Sequence, residues 1–289
     1  MRGKPRRYST SIIQSPITMT RITSAFQNKP IFMPYYPVGY PDIPTSIDIL
    51  EALAKNGADL IEVGLSFSDP LADGPVIQKA TQAALEQGVT TKKVLEAVAE
   101  LRRRGVEIPL VLMGYYNPML AYGLEKFIRD AIEAGIDGFI IPDLPPEEAG
   151  EFAGVLDAAG LDMPENHRLL DQRLPIITML APTTSEERME TIARSAQGFI
   201  YLVSVTGVTG ARAGIADGLA ELVARVRAHT SAPVCVGFGI GTPGQAQAVG
   251  AIADGVIVGS ACVREIGESK QPVEAAGQFA RKFKQALKS

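Results

Sequence analysis

Eight short, almost wholly apolar runs recur along the chain, each followed by a stretch with helical periodicity. The runs are Ile31–Tyr36, Leu60–Gly64, Leu110–Met113, Gly138–Pro142, Ile176–Leu180, Phe199–Ser204, Val234–Gly237 and Val256–Val258. Continuous apolarity marks strands covered on both faces, as parallel strands are. The spacing predicts helices over Thr45–Lys55 with a Thr or Ser cap, Thr90–Arg104, Leu124–Ala134, Pro146–Ala159, Glu186–Ser195, Ile215–Ala228, Pro243–Ala251 and the Lys-rich C-terminus. Thr184 with Glu187 fits a capping box, in which each side chain satisfies a free donor of the first turn. Gly57-Ala58-Asp59, Gly135-Ile136-Asp137 and Ala253-Asp254-Gly255 form a faint repeat, each closing a helix and opening a strand, with glycine suited to a left-handed helix end. Eight β/α units of this length predict an α/β fold, a closed (β/α)8 TIM barrel. It forms a single domain over 19–289 with an extra N-terminal helix. A doubly wound open sheet wants a Gly-rich turn after its first strand, and Pro37-Val38-Gly39-Tyr40-Pro41-Asp42 is nothing like one.

The net charge of -4 gives no basic surface for nucleic acid or an acidic membrane, and no apolar run approaches the ~18 residues of a membrane span. Cys235 and Cys262 read as reduced core thiols. With no CxxC and only His167 and His229, a metal site is not expected. No Asp or Glu precedes Asp42, while Arg2, Lys4, Arg6, Arg7 and Arg21 are basic. Residues 1–18 therefore read as a disordered extension, with Met19 as an alternative start and a cytoplasmic protein. A transit peptide, and so an organelle-targeted protein, is the other reading.

Barrel enzymes build their sites from the loops after the strands. The strand ends here offer Tyr35 and Tyr36, Glu62 through Asp73, Tyr115 and Asn117, Asp143, Tyr201 with Thr206–Gly210, Gly237–Gly239, and Gly259-Ser260. Glu62 lies inside an apolar strand, and an unpartnered buried carboxylate is costly enough that packing alone rarely explains one. Asp73 follows on a loop rich in Ser, Asp, Pro and Gly, so the two acids suggest paired proton chemistry. Gly239, Gly259 and Ser260 fall after strands seven and eight, where barrels commonly bind phosphate through backbone N–H groups and a helix N-terminus. The alternative for those glycines is tight turns. The loop through Arg212 reads as a lid or an ordinary surface loop.

Glu62-Val63-Gly64, the run Phe67-Ser68-Asp69-Pro70-Leu71-Ala72-Asp73-Gly74-Pro75, Tyr201-Leu202 with Gly207-Val208-Thr209-Gly210, Gly237-Phe238-Gly239 and Gly259-Ser260 together resemble the tryptophan synthase alpha subunit family. The resemblance extends from about Arg21 to the C-terminus. It implies a barrel that cleaves indole-3-glycerol phosphate to indole and glyceraldehyde 3-phosphate. It implies a beta-subunit partner in an alpha2-beta2 heterotetramer, with pyridoxal phosphate in that partner and no cofactor in this chain. Matched residue by residue, it makes Glu62, Asp73 and Tyr201 catalytic. Tyr35, Met113, Thr209, Gly210, Gly239, Gly259 and Ser260 bind substrate, and Asp69 and Pro70 meet the partner.

The implied chemistry suits the residues. Burial favours a protonated Glu62, fit to move a proton at indole carbon-3 and then at the glycerol hydroxyl, and Asp73 on its polar loop stays ionised to accept the indole N–H. Asp143 faces the partner or the loop at Asp69, or else caps a helix. The segment Asp162–Leu174, with His167, Arg168, Asp171 and Arg173, is longer than the family pattern and reads as a loop at the face opposite the chemistry. A stand-alone indole-releasing lyase shares every catalytic residue. A non-catalytic phosphate-binding regulatory barrel is disfavoured by the two carboxylates, and another sugar-phosphate isomerase by the Phe67–Pro75 run.

Overall fold

A computed structural model describes residues 20–161, 174–204, 214–237 and 239–289. Its eight strands are β1 (Ile31–Pro37), β2 (Ile61–Gly64), β3 (Leu110–Met113), β4 (Gly138–Ile140), β5 (Thr178–Leu180), β6 (Ile200–Val203), β7 (Val234–Gly237) and β8 (Gly255–Val258). All pair in parallel in the order β4-β3-β2-β1-β8-β7-β6-β5. The two end strands then meet. Phe139 bridges Ile176, with Phe139 N donating to Pro175 O at 2.9 Å and Ile177 N to Phe139 O at 2.7 Å. The sheet thereby closes on itself, and the expected barrel is what these eight runs form.

Closure splits the apolar residues by strand periodicity. Ile31, Met33, Leu60, Val111, Ile140, Ile177, Phe199, Tyr201, Cys235 and Ile257 cluster inside. Phe32, Ile61, Val63, Leu112, Phe139, Leu202 and Val236 instead join the helices outside. The short helix α1 (Arg21–Ala25) and the 3-10 turn Phe26–Asn28 supply the expected N-terminal helix, and they stopper the bottom of the barrel. Ile22 and Phe26 join the inner cluster, with the Phe26 ring 5.8 Å from that of Phe199.

The helices are α2 (Ile43–Lys55), α3 (Pro75–Glu86), α4 (Thr91–Arg103), α5 (Tyr116–Tyr122), α6 (Leu124–Ala134), α7 (Gly150–Leu161), α8 (Glu186–Ser195), α9 (Gly214–Arg227), α10 (Pro243–Gly250), α11 (Ser260–Gly267) and α12 (Pro272–Lys288). Three of them, α3, α5 and α11, were not anticipated. The start of α3 carried its own signal, Pro75 at the first helical position, where a missing N–H costs nothing. Gly74-Pro75 both ends the loop motif and starts this helix.

Several predicted boundaries move. The cap of α2 is Asp42 rather than a Thr or Ser, its carboxylate accepting from Thr45 N at 2.7 Å. Helix α8 is capped by Ser185, not Thr184. The Thr184 hydroxyl accepts from Ala181 N at 3.1 Å, so the predicted box is one residue out of frame. A capping box does form at α10, between Thr242 and Gln245. Helix α7 starts four residues later than predicted, because Pro145 and Pro146 begin turns whose carbonyls accept from Glu148 N and Ala149 N.

The faint repeat has a physical basis, and it lies in its aspartates. Asp59, Asp137 and Asp254 each accept a backbone N–H from the start of the preceding strand: Phe32 at 2.7 Å, Leu110 at 2.8 Å and Val234 at 3.0 Å. Each also holds cations: Lys284 on Asp59, Arg21 and Arg102 on Asp137, and Lys29 and Arg227 on Asp254. Gly57 and Gly135 take the predicted positive φ, but Gly255 does not. Gly255 instead makes room for Cys235 of the neighbouring strand. Three carboxylates thus stitch the bottom of the barrel, the face that serves stability in this fold.

Asp137 is buried between two arginines, and removing one partner of such a set strands the others. Asp137→Ala is expected to cost about 3 kcal/mol of stability in denaturant titration. The activity of the folded fraction should be unchanged, since the residue lies at the opposite end from the loops that follow the strands.

Candidate active site

Glu62 is the second residue of β2, and strand alternation turns its side chain inward. It pairs in register with Tyr35 on one side and Val111 on the other. The residue is 2% exposed, and its Oε1 has no hydrogen-bond partner among the described residues. Burial, and then the charge of Asp73, push its pKa from 4.5 up to about 8. The carboxyl is therefore mostly protonated at neutral pH.

Asp73 arrives from the loop between β2 and α3. Burial raises its pKa to about 6, opposed by a hydrogen bond from Tyr115, whose hydroxyl lies 3.1 Å from Oδ2. Asp73 is thus ionised at pH 7, as expected, although its surroundings are less polar than the loop composition suggests. Two carboxyl groups within electrostatic reach hold opposite protonation states near neutrality.

Two tyrosines border the pair. Tyr35 and Tyr201 are buried, and both hydroxyls are raised well above their ordinary pKa by burial and then by the charges of Asp73 and Glu62. Each ring lies across a strand-end glycine of the next strand. A Cβ at Gly64 would come within 2.7 Å of Tyr35 Cζ, and one at Gly237 within 2.7 Å of Tyr201 Cζ. Those two glycines are small because aromatic rings occupy the space above them. Tyr36 points the other way. It is buried on the outer side, with its ring 6.4 Å from Tyr40, and burial and then Cys262 raise its hydroxyl, so it is no part of the site.

Met113 ends β3 opposite Gly64, half-buried against the inner cluster, and its carbonyl accepts from Leu65 N at 2.8 Å. Gly239 takes a positive φ of 76° just after β7, which favours glycine. Gly259 is the N-cap of α11 and Ser260 its first residue. A Cβ at Gly259 would make only ordinary contacts, 3.5 Å to Ile77 and 3.8 Å to Tyr35, so crowding does not require glycine there. Asp69 is exposed and Pro70 half-buried, beside Leu71 at 89% exposure. Thr209 and Gly210, the lid through Arg212, the 162–173 part of the long segment with His167, and the 1–18 extension all lie outside the described residues.

Asp143 does cap a helix, but not the one expected. Its carboxylate accepts from Tyr116 N of α5 at 2.9 Å, across to the preceding unit. Among the described residues no group of three or more His, Cys, Asp or Glu is arranged to hold a metal ion. No helix of the described residues is long and apolar enough to cross a membrane.

A group whose folded pKa is raised from 4.5 to about 8 makes the fold prefer its protonated form. Stability is therefore lost as pH climbs between those two values, by a few kcal/mol in all. Glu62→Gln, which cannot ionise, is expected to unfold at a higher temperature than the parent chain at pH 8.5. That advantage should shrink towards pH 5, and calorimetry at the two pH values measures it.

Known proteins resemble this chain in sequence and in fold. The family model described as "Tryptophan synthase alpha chain" matches residues 23–288. The tryptophan synthase alpha chain of Geotalea uraniireducens (strain Rf4) is 44% identical over 278 residues, covering 94% of this chain and 99% of that one. That of Dehalococcoides mccartyi is 45% identical over 269 residues, covering 93% and 100%. The solved tryptophan synthase subunit alpha of Legionella pneumophila str. Paris is 37% identical, with a TM-score of 0.81 over 93% of this chain and 99% of that one. A matching family model over nearly the whole barrel, with relatives well above 30% identity that are matched over almost their full length, leaves one conclusion: this chain belongs to the tryptophan synthase alpha chain family.

Proposed function

We propose that the barrel mouth cleaves indole-3-glycerol phosphate by a retro-aldol reaction, giving indole and glyceraldehyde 3-phosphate, with Glu62 and Asp73 as its acid–base pair. Membership of the family makes the chain a lyase of tryptophan biosynthesis. The observation that carries the residue assignment is the buried Glu62 carboxyl, its Oε1 without a hydrogen-bond partner among the described residues, held protonated beside an ionised Asp73.

Protonated Glu62 gives its proton to carbon-3 of the indole, and positive charge develops on the ring nitrogen. Asp73 accepts a hydrogen bond from the ring N–H and stabilises that charge. Glu62, now a carboxylate, takes the proton of the glycerol hydroxyl next to carbon-3. The carbon–carbon bond breaks, its electron pair returns to the indole ring, and the hydroxyl carbon becomes the aldehyde. Glu62 ends protonated, ready for another turnover. Each positioned acid or base typically contributes ~10²–10⁴-fold. Tyr35 and Tyr201 wall the ring site, with Met113 beside them. Gly239, Gly259 and Ser260, with Thr209 and Gly210, bind the phosphate. The uncrowded Gly259 and the first amides of α11 support an anion there.

Family membership favours a partner over a stand-alone lyase. Leu71, 89% exposed on the same loop as Asp73, adds apolar surface to that face. We assign Asp69, Pro70 and Leu71 to contact with a tryptophan synthase beta subunit in an alpha2-beta2 heterotetramer, and pyridoxal phosphate to that partner alone. The relatives are bacterial, which supports a cytoplasmic setting.

An indole-release assay on indole-3-glycerol phosphate tests the reading. The rate requires Asp73 ionised and Glu62 protonated. It should therefore rise as pH passes about 6 and fall as pH passes about 8. Glu62→Gln should fold and lose at least 10²-fold in turnover, whereas near-normal turnover would remove Glu62 from its role.

A further inference from the structure

We propose that Tyr115 is the positioning residue for Asp73, its one hydroxyl tying both the loop backbone and the carboxylate to the end of β3. The inference rests on the role given to Asp73 above and adds what holds that residue in place.

With Asp73 ionised, the hydrogen bonding at Tyr115 runs in one direction. The Ala72 backbone N–H lies 2.9 Å from the Tyr115 oxygen and can only donate. The hydroxyl proton is then free for Asp73 Oδ2, 3.1 Å away. An ionised carboxylate accepts it, and a protonated one competes poorly, so this contact favours the charged form.

Tyr115 is itself firmly placed. The residue is 2% exposed, and its ring lies 5.6 Å from that of Phe67, from the same loop as Asp73. It is the N-cap residue of α5, and the next residue, Tyr116, gives its backbone N–H to Asp143. The loop it secures needs an anchor, since Leu71 and Ala72 are exposed. Within the loop Asp73 N reaches Pro70 O at 3.1 Å, and Gln78 Nε2 reaches Asp73 O at 2.8 Å. Those contacts shape the main chain, while Tyr115 reaches the carboxylate itself and turns it.

Tyr115→Phe keeps the ring and removes the hydroxyl. The expected loss in kcat/KM for indole release is ten- to hundredfold at pH 7, the range for one hydrogen bond to a charged group. The hydrogen bond lowers the Asp73 pKa, so the acidic limb of the pH–rate profile should move to higher pH in the variant. A merely structural role would lower the rate and leave the limb in place. Carboxyl-carbon NMR of Asp73 in Tyr115→Phe reads the same shift without needing activity. In an Asp73→Asn background, Tyr115→Phe should cost little more, because both changes act on one interaction. An unmoved limb and unmoved Asp73 titration, beside an inactive Asp73→Asn, would overturn the role of Tyr115 alone. Full activity in Asp73→Asn would overturn the reading of the site and this inference with it.

Discussion

Closing a sheet into an eight-stranded barrel leaves interior room for alternate residues only, and Glu62 occupies one of those places among Met33, Val111, Tyr201 and Cys235. Among the described residues no group hydrogen-bonds its Oε1. In that position the carboxyl is most stable with its proton on, which is the state a proton donor needs. Closure of the barrel, the bottom stopper of Ile22 and Phe26, and the tyrosines above two small glycines all help keep water away from it. On the proposed reading, the property that makes Glu62 useful is the one that makes it costly to the fold.

The two ends of the barrel solve different problems. At the bottom, Asp59, Asp137 and Asp254 are each satisfied by a backbone N–H and at least one cation. Those carboxylates are held in place by their donors. At the top, Glu62 Oε1 finds no hydrogen-bond partner among the described residues, and Asp73 has a tyrosine hydroxyl on Oδ2. The same residue types tie the barrel together at one end and face the site at the other, and the difference is the supply of partners.

Most of the barrel was legible in the chain because each strand is a short apolar run and each long helix a periodic one. All eight strands fall within two residues of where the apolar runs place them, and α6 and α8 match end to end. What was missed has local causes. Helix α3 hid behind a loop motif whose last two residues are its N-cap and first turn, and α5 and α11 are short helices in strand-to-helix connections. At the site, the strand-borne glutamate and the loop aspartate stood out by type and placement. The Tyr115 link to Asp73 did not, because residues 42 positions apart meet only once β2 and β3 are side by side. The cross-unit cap from Asp143 to Tyr116 was hidden for the same reason. Nor did the sequence distinguish Tyr35 from Tyr36, whose opposite directions follow from the strand register.

Carboxyl-carbon NMR titration of the free chain, with Glu62 assigned by difference against Glu62→Gln, reads the protonation of both carboxyls. The structure predicts that Glu62 holds its proton to about pH 8 while Asp73 loses its own near pH 6. A Glu62 signal titrating near the ordinary glutamate value of 4.5 would contradict the account, since a carboxyl already ionised at neutral pH could not begin the reaction by giving up a proton.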